Sequence, residues 1–303
     1  MSICTMLVGI SGSGKDFFSE KIARSGAKIF SSDKIREEFY GDESIQKDHS
    51  RIFNELHKRI IKSLQNGEDC IYNATNLSSK RRAAFIRMIR NSNITCTFNC
   101  IVIATPPSLC IERDRNRSRT VGANVIWRQI SQFEIPSYAE GWDKIDITFN
   151  GNYMLDLDSI KTSLRETPLN EHNNSHHSLS IYDHMENARL NAMIKTDDVR
   201  CIIAAEYHDI GKYCTKTNFD RYGHETSESH FYGHQNVGAY LFICSKYIFR
   251  MSTKDILDTA FLIQYHMEHY IRDERSLNSF YNRYSKELVE LLHILEYADK
   301  NSH

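Results

Sequence analysis

The stretch GISGSGKD, residues 9–16, matches the Walker A phosphate-binding pattern G-x-x-x-x-G-K-[ST] at every position except the last. The apolar run CTMLVGI leads into it, and the helical pattern DFFSEKIARSG follows. A strand, a glycine-rich turn and a helix N-terminus in this order direct backbone N–H groups at a phosphate. The sequence therefore predicts a nucleotide-binding loop. Lys15 is expected at the terminal phosphates, with further contacts from Gly9, Ser11, Gly12, Ser13, Gly14 and Asp16.

The composition is that of a folded protein without a membrane segment. Of the 303 residues 41% are hydrophobic, and no run approaches the roughly eighteen apolar residues that a membrane helix needs. The apolar N-terminus is short and lacks a basic start, which indicates a buried strand rather than a signal peptide. The eight cysteines are scattered, and the closest pair, Cys96 and Cys100, has no partner pair of metal-binding type. We therefore expect free thiols and a cytoplasmic location.

Charge and histidine are distributed unequally between the two halves of the chain. Residues 1–150 contain 22 Lys and Arg against 17 Asp and Glu, whereas residues 151–303 contain 16 against 22. Twelve of the 14 histidines fall in the second half. This asymmetry suggests a basic half that binds phosphates and a histidine-rich half that binds metal.

The secondary-structure pattern changes at the same place. In the first half, five strand-like apolar runs alternate with helical patterns, as a parallel α/β sheet requires; the runs are CTMLVGI, AKIFSS, DCIYNATN, TCTFNCIVIAT and KIDITFN. Residues 151–175 are polar and contain Pro168, so we interpret them as a linker. After them every strong pattern is helical. The predicted fold is an α/β domain with a parallel five-stranded sheet over residues 1–150, followed by an all-α domain over residues 176–303.

Three groups of polar residues lie where a small kinase needs them. Asp33 and Arg36 follow the second strand, at the carboxyl edge where α/β sheets bind ligands. A carboxylate there can accept the proton of an attacking hydroxyl, and an arginine can hold a phosphate of the acceptor. The stretch NATNLSSKRR ends the third strand and opens a basic helix. In ERDRNR, Arg113 and Arg117 fall one turn apart on one face of a predicted helix, which suits them to clamp transferring phosphates or, alternatively, to form a solvated face.

In this order and spacing, GSGK, DKIR, ATNLSSKRR and ERDRNR resemble the polynucleotide 5′-hydroxyl kinase domain of phage and bacterial RNA end-healing enzymes. The resemblance covers residues 1–150 and implies a P-loop kinase fold that uses ATP and Mg²⁺. It implies Lys15 on the donor phosphates, Asp33 as general base and Arg36 on the acceptor's phosphate. The remaining residues that we assign with it are Arg117 as the lid arginine, Arg113 on the nucleotide, and Thr75, Asn76 and Arg82 on the acceptor.

Two positions depart from that family. Asp16 replaces the hydroxyl residue that normally binds the Mg²⁺ of the nucleotide, and Asn73 stands where relatives commonly carry an acidic residue. One hypothesis is that the two exchanges offset each other, so that Mg²⁺ still meets one carboxylate, directly or through water. The other hypothesis is a nucleotide-binding domain that no longer transfers phosphate.

The second half is anchored by EYHDIGK, in which His208 and Asp209 end an apolar helix before Gly211. Imidazole and carboxylate are ligands of borderline divalent ions, and two such ions can activate water against a phosphoester. Further candidates at helical positions are His184, His234, His266 and Asp299. A surface or core role is the commoner explanation for a single histidine, and we assign that role to His172, His176, His177, His224, His230, His269 and His303.

The order H…HD…H…H…D resembles the HD phosphohydrolase superfamily over residues 176–303, and HHSLSIYDH resembles the opening of the HD domain of tRNA nucleotidyltransferases. The resemblance implies an all-helical, metal-dependent phosphoesterase. It implies one metal site of His184, His208, Asp209 and Asp299, a second site with His234 and His266 bridged by Asp209, and Lys212 on the substrate phosphate. Nitrogen-rich sites favour Mn²⁺, Ni²⁺ or Co²⁺ over Mg²⁺.

The two resemblances together indicate a bifunctional enzyme that heals RNA or DNA ends. It is expected to phosphorylate a 5′-hydroxyl and to remove a 2′,3′-cyclic phosphate or 3′-phosphate, which prepares ends for an RNA ligase. Two alternatives stay open: a nucleoside or small-molecule kinase joined to an HD nucleotidase, and a non-catalytic nucleotide sensor. Arg36 argues against the first, since a nucleoside has no phosphate to hold, whereas Asp16 is the main support for the second.

Overall fold

The structure is a computed structural model that describes residues 1–45, 47–166 and 179–302 of the chain. The chain divides into two compact units. The first consists of Met1–Gln129 with Pro136–Asn152, and the second of Ile130–Ile135 with the described part of Tyr153–His303. Part of the predicted linker, together with His172, His176, His177 and His303, lies outside the described residues.

The first unit contains the predicted parallel five-stranded sheet. Its strands are β1 (Ser2–Val8), β2 (Lys28–Ser31), β3 (Cys70–Asn73), β4 (Cys96–Ala104) and β5 (Lys144–Phe149). They lie in the order β2-β3-β1-β4-β5, and every neighbouring pair is parallel. Strand β1 is buried at all but one position, which fits its nearly continuous apolar sequence. The carboxyl ends of parallel strands meet at one edge of the sheet, so the segments that follow β1, β2 and β3 lie near one another.

Helices of the first unit follow the strands. They are α1 (Lys15–Ala23), α2 (Ser32–Tyr40), α3 (His49–Gln65), α4 (Ser79–Asn91), α5 (Pro107–Arg115) and α6 (Ala123–Ser131), and the last two residues of α6 belong to the second unit. Helix α2 starts directly after β2, because the Ser31 hydroxyl caps it by accepting a hydrogen bond from the Asp33 N–H at 3.3 Å. This start fixes Asp33 in the first turn, beside the sheet edge.

The second unit is mostly helical, as predicted. Its helices are α7 (Leu157–Glu166), α8 (Ile181–Lys195), α9 (Val199–Tyr207), α10 (Lys212–Thr215), α11 (His234–Ile243), α12 (Thr253–Tyr265), α13 (Glu268–Ile271), α14 (Glu274–Tyr281) and α15 (Lys286–Lys300). Helices α8, α9, α12 and α15 pack on one another and form the core of the unit. None of the helices in the described ranges is both long and apolar enough to span a membrane.

The second unit also contains one short hairpin that the sequence did not predict. Strands β6 (Thr217–Phe219) and β7 (Glu225–His230) pair antiparallel. Their turn is built on Asp220, whose Oδ1 accepts hydrogen bonds from the N–H groups of Tyr222 and His224 at 2.8 Å each. Gly223, at φ 85°, completes the turn in a conformation that other residues rarely adopt. Periodicity missed this hairpin because its strands are short and polar, so they show neither an apolar run nor an amphipathic face.

Residues 130–135 are placed in the first domain by sequence but group with the second unit in the structure. Within that unit they are bonded to the Gln264 side chain on α12. Its Nε2 donates to the Phe133 carbonyl at 2.6 Å, and its Oε1 accepts from the Ile135 N–H at 2.8 Å. Helix α7 lies inside the predicted linker and also groups with the second unit. The exact domain limits therefore stay predictions.

Candidate active sites

The glycine-rich loop between β1 and α1 forms a tight turn that only glycines permit. Gly12 and Gly14 have φ angles of 80° and 92°. A Cβ on Gly12 would lie 2.4 Å from the Cys110 carbonyl oxygen, so the loop passes directly against α5. The Ser13 carbonyl accepts hydrogen bonds from Thr105 Oγ1 at 3.0 Å and from Asn150 Nδ2 at 2.6 Å. These contacts fix the path of the loop, and α1 starts at its end.

Lys15 is half-buried in this loop. Its Nζ donates to the Ile10 carbonyl at 2.8 Å. Burial lowers the pKa of the Lys15 amine, while the carboxylates of Asp16 and Asp33 oppose that shift and Arg117 adds to it. The predicted phosphate-binding lysine, general base and lid arginine are thus close enough to act on one another electrostatically.

Asp16 and Asn73, the two departures from the kinase pattern, are in direct contact. Asn73 Nδ2 donates to Asp16 Oδ1 at 2.8 Å and to Ser19 Oγ at 3.3 Å. Asn73 ends β3 and is 4% exposed, whereas Asp16 lies in the first turn of α1. A carboxylate moved from position 73 to position 16 therefore stays at the same point of the sheet edge, which supports the hypothesis that the exchanges offset each other.

We expect Asp16→Ser to slow phosphate transfer by about 10- to 100-fold, the usual effect of losing a group that positions a metal. Adding Asn73→Asp to that variant should recover part of the rate, because the new carboxylate occupies the neighbouring position. Asn73→Asp alone places two carboxylates side by side and should also lower the rate. Initial rates of transfer from ATP, measured over a range of Mg²⁺ concentrations, check the three variants. An Asp16→Ser enzyme faster than the parent would show that the carboxylate is only tolerated.

Asp33 and Arg36 form an ion pair across the first turn of α2. Arg36 Nη1 lies 2.6 Å from Asp33 Oδ1. The Arg36 side chain is 6% exposed and that of Asp33 54% exposed, so the carboxylate faces solvent while the guanidinium is held below it. Arg36 Nε is buried and finds no hydrogen-bond partner among the described residues. Such a donor favours a bound anion, since a buried unpaired N–H is costly.

Arg113 and Arg117 do not share a helical face, contrary to the prediction. Helix α5 ends at Arg115. The buried Asp114 explains this end: its carboxylate accepts hydrogen bonds from the N–H groups of Val121 at 3.0 Å and Gly122 at 2.9 Å, which folds the following chain back. Arg113 Nη1 donates to the Gly12 carbonyl at 3.4 Å and so touches the phosphate loop. Arg117 is exposed on the segment after the helix.

The structure also corrects the acceptor-binding assignment of Arg82. Its side chain is fully buried and forms a two-point ion pair with Glu140, at 2.7 Å from Nε to Oε2 and 2.6 Å from Nη2 to Oε1. Its Nη1 donates to the carbonyls of Asn76 and Leu77, at 2.9 Å each. Arg82 therefore supports the backbone of the loop after β3. Of the other two residues assigned to the acceptor, Thr75 is half-buried, and Asn76 Nδ2 donates to the Leu7 carbonyl at 2.9 Å.

We expect Arg82→Ala to lower the free energy of unfolding by about 3–5 kcal/mol, because it leaves the Glu140 carboxylate buried and unpaired. The exposed neighbour Arg81 provides the control, and Arg81→Ala should change stability by less than about 0.5 kcal/mol. Urea unfolding followed by circular dichroism measures both variants. Equal stability of the two would contradict the structural role.

Sequence reasoning missed two side chains at the phosphate loop. Gln129 on α6 accepts a hydrogen bond from the Ser11 N–H at 2.7 Å, and its Nε2 donates to Ser11 Oγ at 3.1 Å. Asn150, after β5, contacts the Ser13 carbonyl as described above. Both residues are more than a hundred positions away from the loop in the sequence, and neither belongs to a sequence motif that would assign it to the loop.

The six predicted metal ligands come together in the second unit. They come from helix ends: His184 from the first turn of α8, His208 and Asp209 from the end of α9, His234 from the start of α11, His266 from the end of α12 and Asp299 from the last turn of α15. None of the six is more than 7% exposed. Three overlapping groups have ligand atoms within 4.8 Å of one another: His184–His208–Asp209, His208–His266–Asp299 and Asp209–His234–His266.

Gly211 makes this convergence possible. A Cβ at this position would lie 2.0 Å from the His234 carbonyl oxygen and 2.6 Å from the Gly238 nitrogen. The segment after Asp209 can therefore pass directly against the start of α11 only with glycine here. This close approach places Asp209 Oδ1 3.2 Å from His234 Nε2.

The ligand atoms form two clusters that share Asp209. In one cluster, His184 Nε2 lies 3.1 Å from His208 Nε2 and 2.9 Å from Asp299 Oδ1, and Asp209 Oδ2 lies 3.5 Å from His208. In the other, His234 Nε2 lies 3.3 Å from His266 Nε2, and Asp209 Oδ1 lies 3.2 Å from the former and 3.8 Å from the latter. The two oxygens of Asp209 thus face different clusters, which is the arrangement of a carboxylate that bridges two ions.

Hydrogen bonds on the far side of each ring define which nitrogen faces the cluster. His208, His234 and His266 place Nδ1 2.7–2.9 Å from the carbonyls of Ala205, Phe231 and Ile263, so Nδ1 carries the proton in each. His184 Nδ1 lies 2.6 Å from Ser302 Oγ, whose own proton is donated to the Asp299 carbonyl. The four Nε2 atoms therefore converge on one another and on the two carboxylates, an arrangement that a bound cation would satisfy.

The charges of the site agree with that conclusion. Burial disfavours the charged form of His208, yet Asp209 and Asp299 raise its pKa above the ordinary value. Burial and the nearby imidazoles lower the pKa of His266 to about 3. The carboxylates attract positive charge, whereas the crowded imidazoles resist further protons. Four imidazole nitrogens and two carboxylates suit a divalent ion of the borderline class, which includes Mn²⁺, Co²⁺ and Ni²⁺.

Lys212 lies at the edge of the metal cluster. Its Nζ is 2.7 Å from Asp209 Oδ2 and 5.6 Å from the centroid of the Phe231 ring. An ammonium at this point is placed to meet a phosphate oxygen of a substrate that reaches the cluster. Ser302, which fixes the His184 ring, was not predicted, because a serine near the end of the chain carries no recognisable pattern.

Comparisons with known proteins agree with this division of the chain. A family model described as an AAA domain matches residues 5–136, and a model described as an HD domain matches residues 175–302. The chain is similar to the L-seryl-tRNA(Sec) kinase of Methanococcus maripaludis, with 25% identity over 178 residues. That match covers 56% of this chain and 66% of the relative, so the chain spans just under two thirds of the relative's length.

Solved structures of kinases are also similar to part of the chain. A putative kinase from Chloroflexus aurantiacus has 16% identity and a TM-score of 0.41, over 55% of this chain and 97% of that one. A gluconokinase from Sinorhizobium meliloti has 18% identity and a TM-score of 0.34, over 48% of this chain and 82% of that one.

Proposed function

We propose that this chain, which joins a P-loop kinase-like domain to an HD domain, heals the ends of nucleic acids. The first domain transfers the γ-phosphate of ATP to a 5′-hydroxyl, with Mg²⁺. The second hydrolyses a 2′,3′-cyclic phosphate or a 3′-phosphate, with a divalent transition metal. The observation that carries the proposal is the Asp33–Arg36 pair, because it provides a base and a phosphate ligand side by side near Lys15.

The Asp33–Arg36 pair fits an acceptor that carries its own phosphate. The exposed Asp33 carboxylate takes the proton of the attacking hydroxyl, the hydroxyl oxygen bonds to the γ-phosphorus, and ADP leaves. Arg36, with a free buried Nε, binds the phosphate next to that hydroxyl. The 5′-terminal nucleotide of a polynucleotide has such a phosphate, and a nucleoside does not. The similarity to a kinase whose name specifies a tRNA substrate supports an RNA acceptor.

The second domain supplies the complementary chemistry. A divalent metal held there by the four histidines with Asp209 and Asp299 would supply Lewis acidity and would activate a water molecule for attack on phosphorus. The chain's own residues orient the reaction: Lys212 holds the substrate phosphate, and the carbonyl and Ser302 contacts fix the ring tautomers. The kinase reaction leaves a 5′-phosphate. Hydrolysis of a 3′-phosphate releases inorganic phosphate and leaves a 3′-hydroxyl, and opening of a 2′,3′-cyclic phosphate at the O3′–P bond leaves a 3′-hydroxyl with the phosphate on O2′. An RNA ligase joins a 5′-phosphate to such a 3′-hydroxyl.

The experiment offers the purified protein each class of acceptor in parallel. With labelled ATP and Mg²⁺, the acceptors are 5′-hydroxyl RNA, 5′-hydroxyl DNA and free nucleosides. Oligonucleotides that end in a 2′,3′-cyclic phosphate or a 3′-phosphate are incubated separately with Mn²⁺, Ni²⁺, Co²⁺ or Mg²⁺ after chelation. We expect phosphate transfer to polynucleotide ends, and hydrolysis that the transition metals support better than Mg²⁺. Transfer to nucleosides alone would indicate a nucleoside kinase, and ATP binding without transfer to any acceptor would indicate a sensor.

A further inference from the structure

The second unit contains an open cavity of about 620 Å³ that the metal chemistry does not use. It lies among α14, α15 and the last residue of α8. Its main walls are Lys195, Tyr281, Tyr284, Lys286, His293 and Tyr297. The volume falls within the range of small-molecule and nucleotide sites.

The walls combine flat aromatic rings with positive charge. Tyr297 is 46% exposed, and Lys195 Nζ lies 4.4 Å from the centroid of its ring. Lys195 and Lys286 are exposed at the rim, against a single lining carboxylate from Glu290. Aromatic faces that stack on bases, with ammonium groups that meet phosphates, are the elements by which proteins hold single-stranded nucleic acid.

The cavity is connected to the metal cluster through α15. Tyr281 Oη donates to Glu296 Oε1 at 3.0 Å, and His293 Nδ1 lies 3.1 Å from Glu296 Oε2. Glu296 is one helical turn before the metal ligand Asp299. From His293 to Asp299 the helix rises by only about 9 Å. Around the axis of α15, however, Tyr297 and Asp299 project in nearly opposite directions, so a strand whose end is held at the metal cluster reaches the cavity by curving around the helix over a few nucleotides.

Tyr270 is an exposed aromatic residue next to His269. It is 51% exposed, its ring lies 3.7 Å from that of His269, and His269 Nδ1 lies 3.5 Å from Glu296 Oε1. Burial, and then the carboxylates of Asp299 and Asp209, raise the pKa of the Tyr270 phenol to about 12. Through His269 and Glu296, Tyr270 is connected to Tyr281 and His293 of the cavity wall.

We propose that this tyrosine–lysine cavity binds a nucleobase of the strand that leads to the phosphate end at the metal cluster. The inference rests on the proposed function and extends it, because it makes an oligonucleotide a better phosphoesterase substrate than a mononucleotide. The base stacks on Tyr297, and Lys195 and Lys286 meet the backbone phosphates on either side. The chemistry requires no sequence preference, since every base offers a flat face.

The test compares a nucleoside 2′,3′-cyclic phosphate with a short RNA that ends in a 2′,3′-cyclic phosphate, both in Mn²⁺. The RNA carries a 5′-phosphate, so that it is not a substrate for the kinase site. We expect Tyr297→Ala to raise the KM for RNA by about 10-fold or more while leaving kcat and the mononucleotide parameters unchanged. Lys286→Ala should act in the same direction and should reduce the salt dependence of binding. Tyr297→Phe, which keeps the stacking face, should behave as the parent.

The control is Tyr222→Ala at the tip of the β6–β7 turn, where the ring is 87% exposed and outside the cavity. If Tyr297→Ala and Tyr222→Ala change the KM for RNA to the same extent, the inference is overturned. A Tyr297→Ala protein that changes its oligomeric state and still binds RNA as the parent does would also overturn it, because the cavity would then be a protein interface.

A binding measurement separates this inference from the proposed function. Fluorescence anisotropy with the same RNA ending in a 3′-hydroxyl reports on the cavity without any hydrolysis. If the parent hydrolyses neither substrate, the proposed phosphoesterase activity fails, whereas weaker RNA binding by Tyr297→Ala than by Tyr222→Ala still supports the cavity. If the parent hydrolyses both substrates equally well and Tyr297→Ala binds RNA like the parent, the inference fails and the phosphoesterase stands.

Discussion

Replacing Asp209 by Ala is expected to abolish the phosphoesterase activity and to leave the kinase activity unchanged. Asp209 has one oxygen toward each of the two histidine clusters, so its loss affects every ion that the site holds. Metal ions contribute several kcal/mol to the stabilisation of charge in such transition states, which corresponds to a loss of about 10³-fold or more in rate. The residues assigned to the kinase reaction belong to the other compact unit. We therefore expect the rate of phosphate transfer from ATP to stay unchanged.

Metal content, measured by elemental analysis of the purified protein, should fall together with activity. Asp209→Asn is measured alongside Asp209→Ala, because the alanine variant also leaves the buried Lys212 without its ion-pair partner. The exposed Asp197 on the same unit provides the matched control, and Asp197→Ala should retain both metal and activity. Full phosphoesterase activity of a metal-free Asp209→Asn protein would show that the metal cluster takes no part in the reaction.

Substitutions in the two clusters can also show how many metal ions catalysis requires. His184→Ala removes a ligand near Asp299, and His266→Ala removes one near His234. If both ions take part in catalysis, the two variants should lose activity to a similar extent. If one ion suffices, His266→Ala should retain much more activity than His184→Ala, with about half the bound metal of the parent.

The second domain shows how far a sequence can predict a site. Its six candidate ligands could be predicted to come together because histidine and aspartate stood at the ends of apolar helices in a recognisable order. The geometry of these six residues could not be predicted, because it depends on contacts between segments that are distant in the sequence. Gly211 could be seen to end a helix, but only the structure shows that its missing side chain lets Asp209 approach His234. The role of Ser302 depends in the same way on a partner 118 positions away.

The first domain shows where local patterns mislead. The arginine spacing in ERDRNR predicted one helical face for Arg113 and Arg117. A buried carboxylate, Asp114, ends the helix instead by binding N–H groups several residues later. Arg82 was assigned to the acceptor through the resemblance of ATNLSSKRR to the kinase family, but its partner Glu140 is 58 positions away. Strand and helix types were predictable from periodicity, whereas the partners of charged residues were not.

Asp33→Asn is expected to lower kcat for phosphate transfer by about 10²- to 10⁴-fold, the usual contribution of a general base. The amide keeps nearly the shape of the carboxylate and can still accept a hydrogen bond from Arg36, so binding of the acceptor should change little. Arg36→Ala should have the opposite signature, with a raised KM for the oligonucleotide and a nearly unchanged KM for ATP. Glu37, exposed on the same helix, gives the control variant Glu37→Gln, which should match the parent. Near-normal kcat in Asp33→Asn would mean that another group accepts the proton, and the Asp33–Arg36 pair would then serve only to position the acceptor.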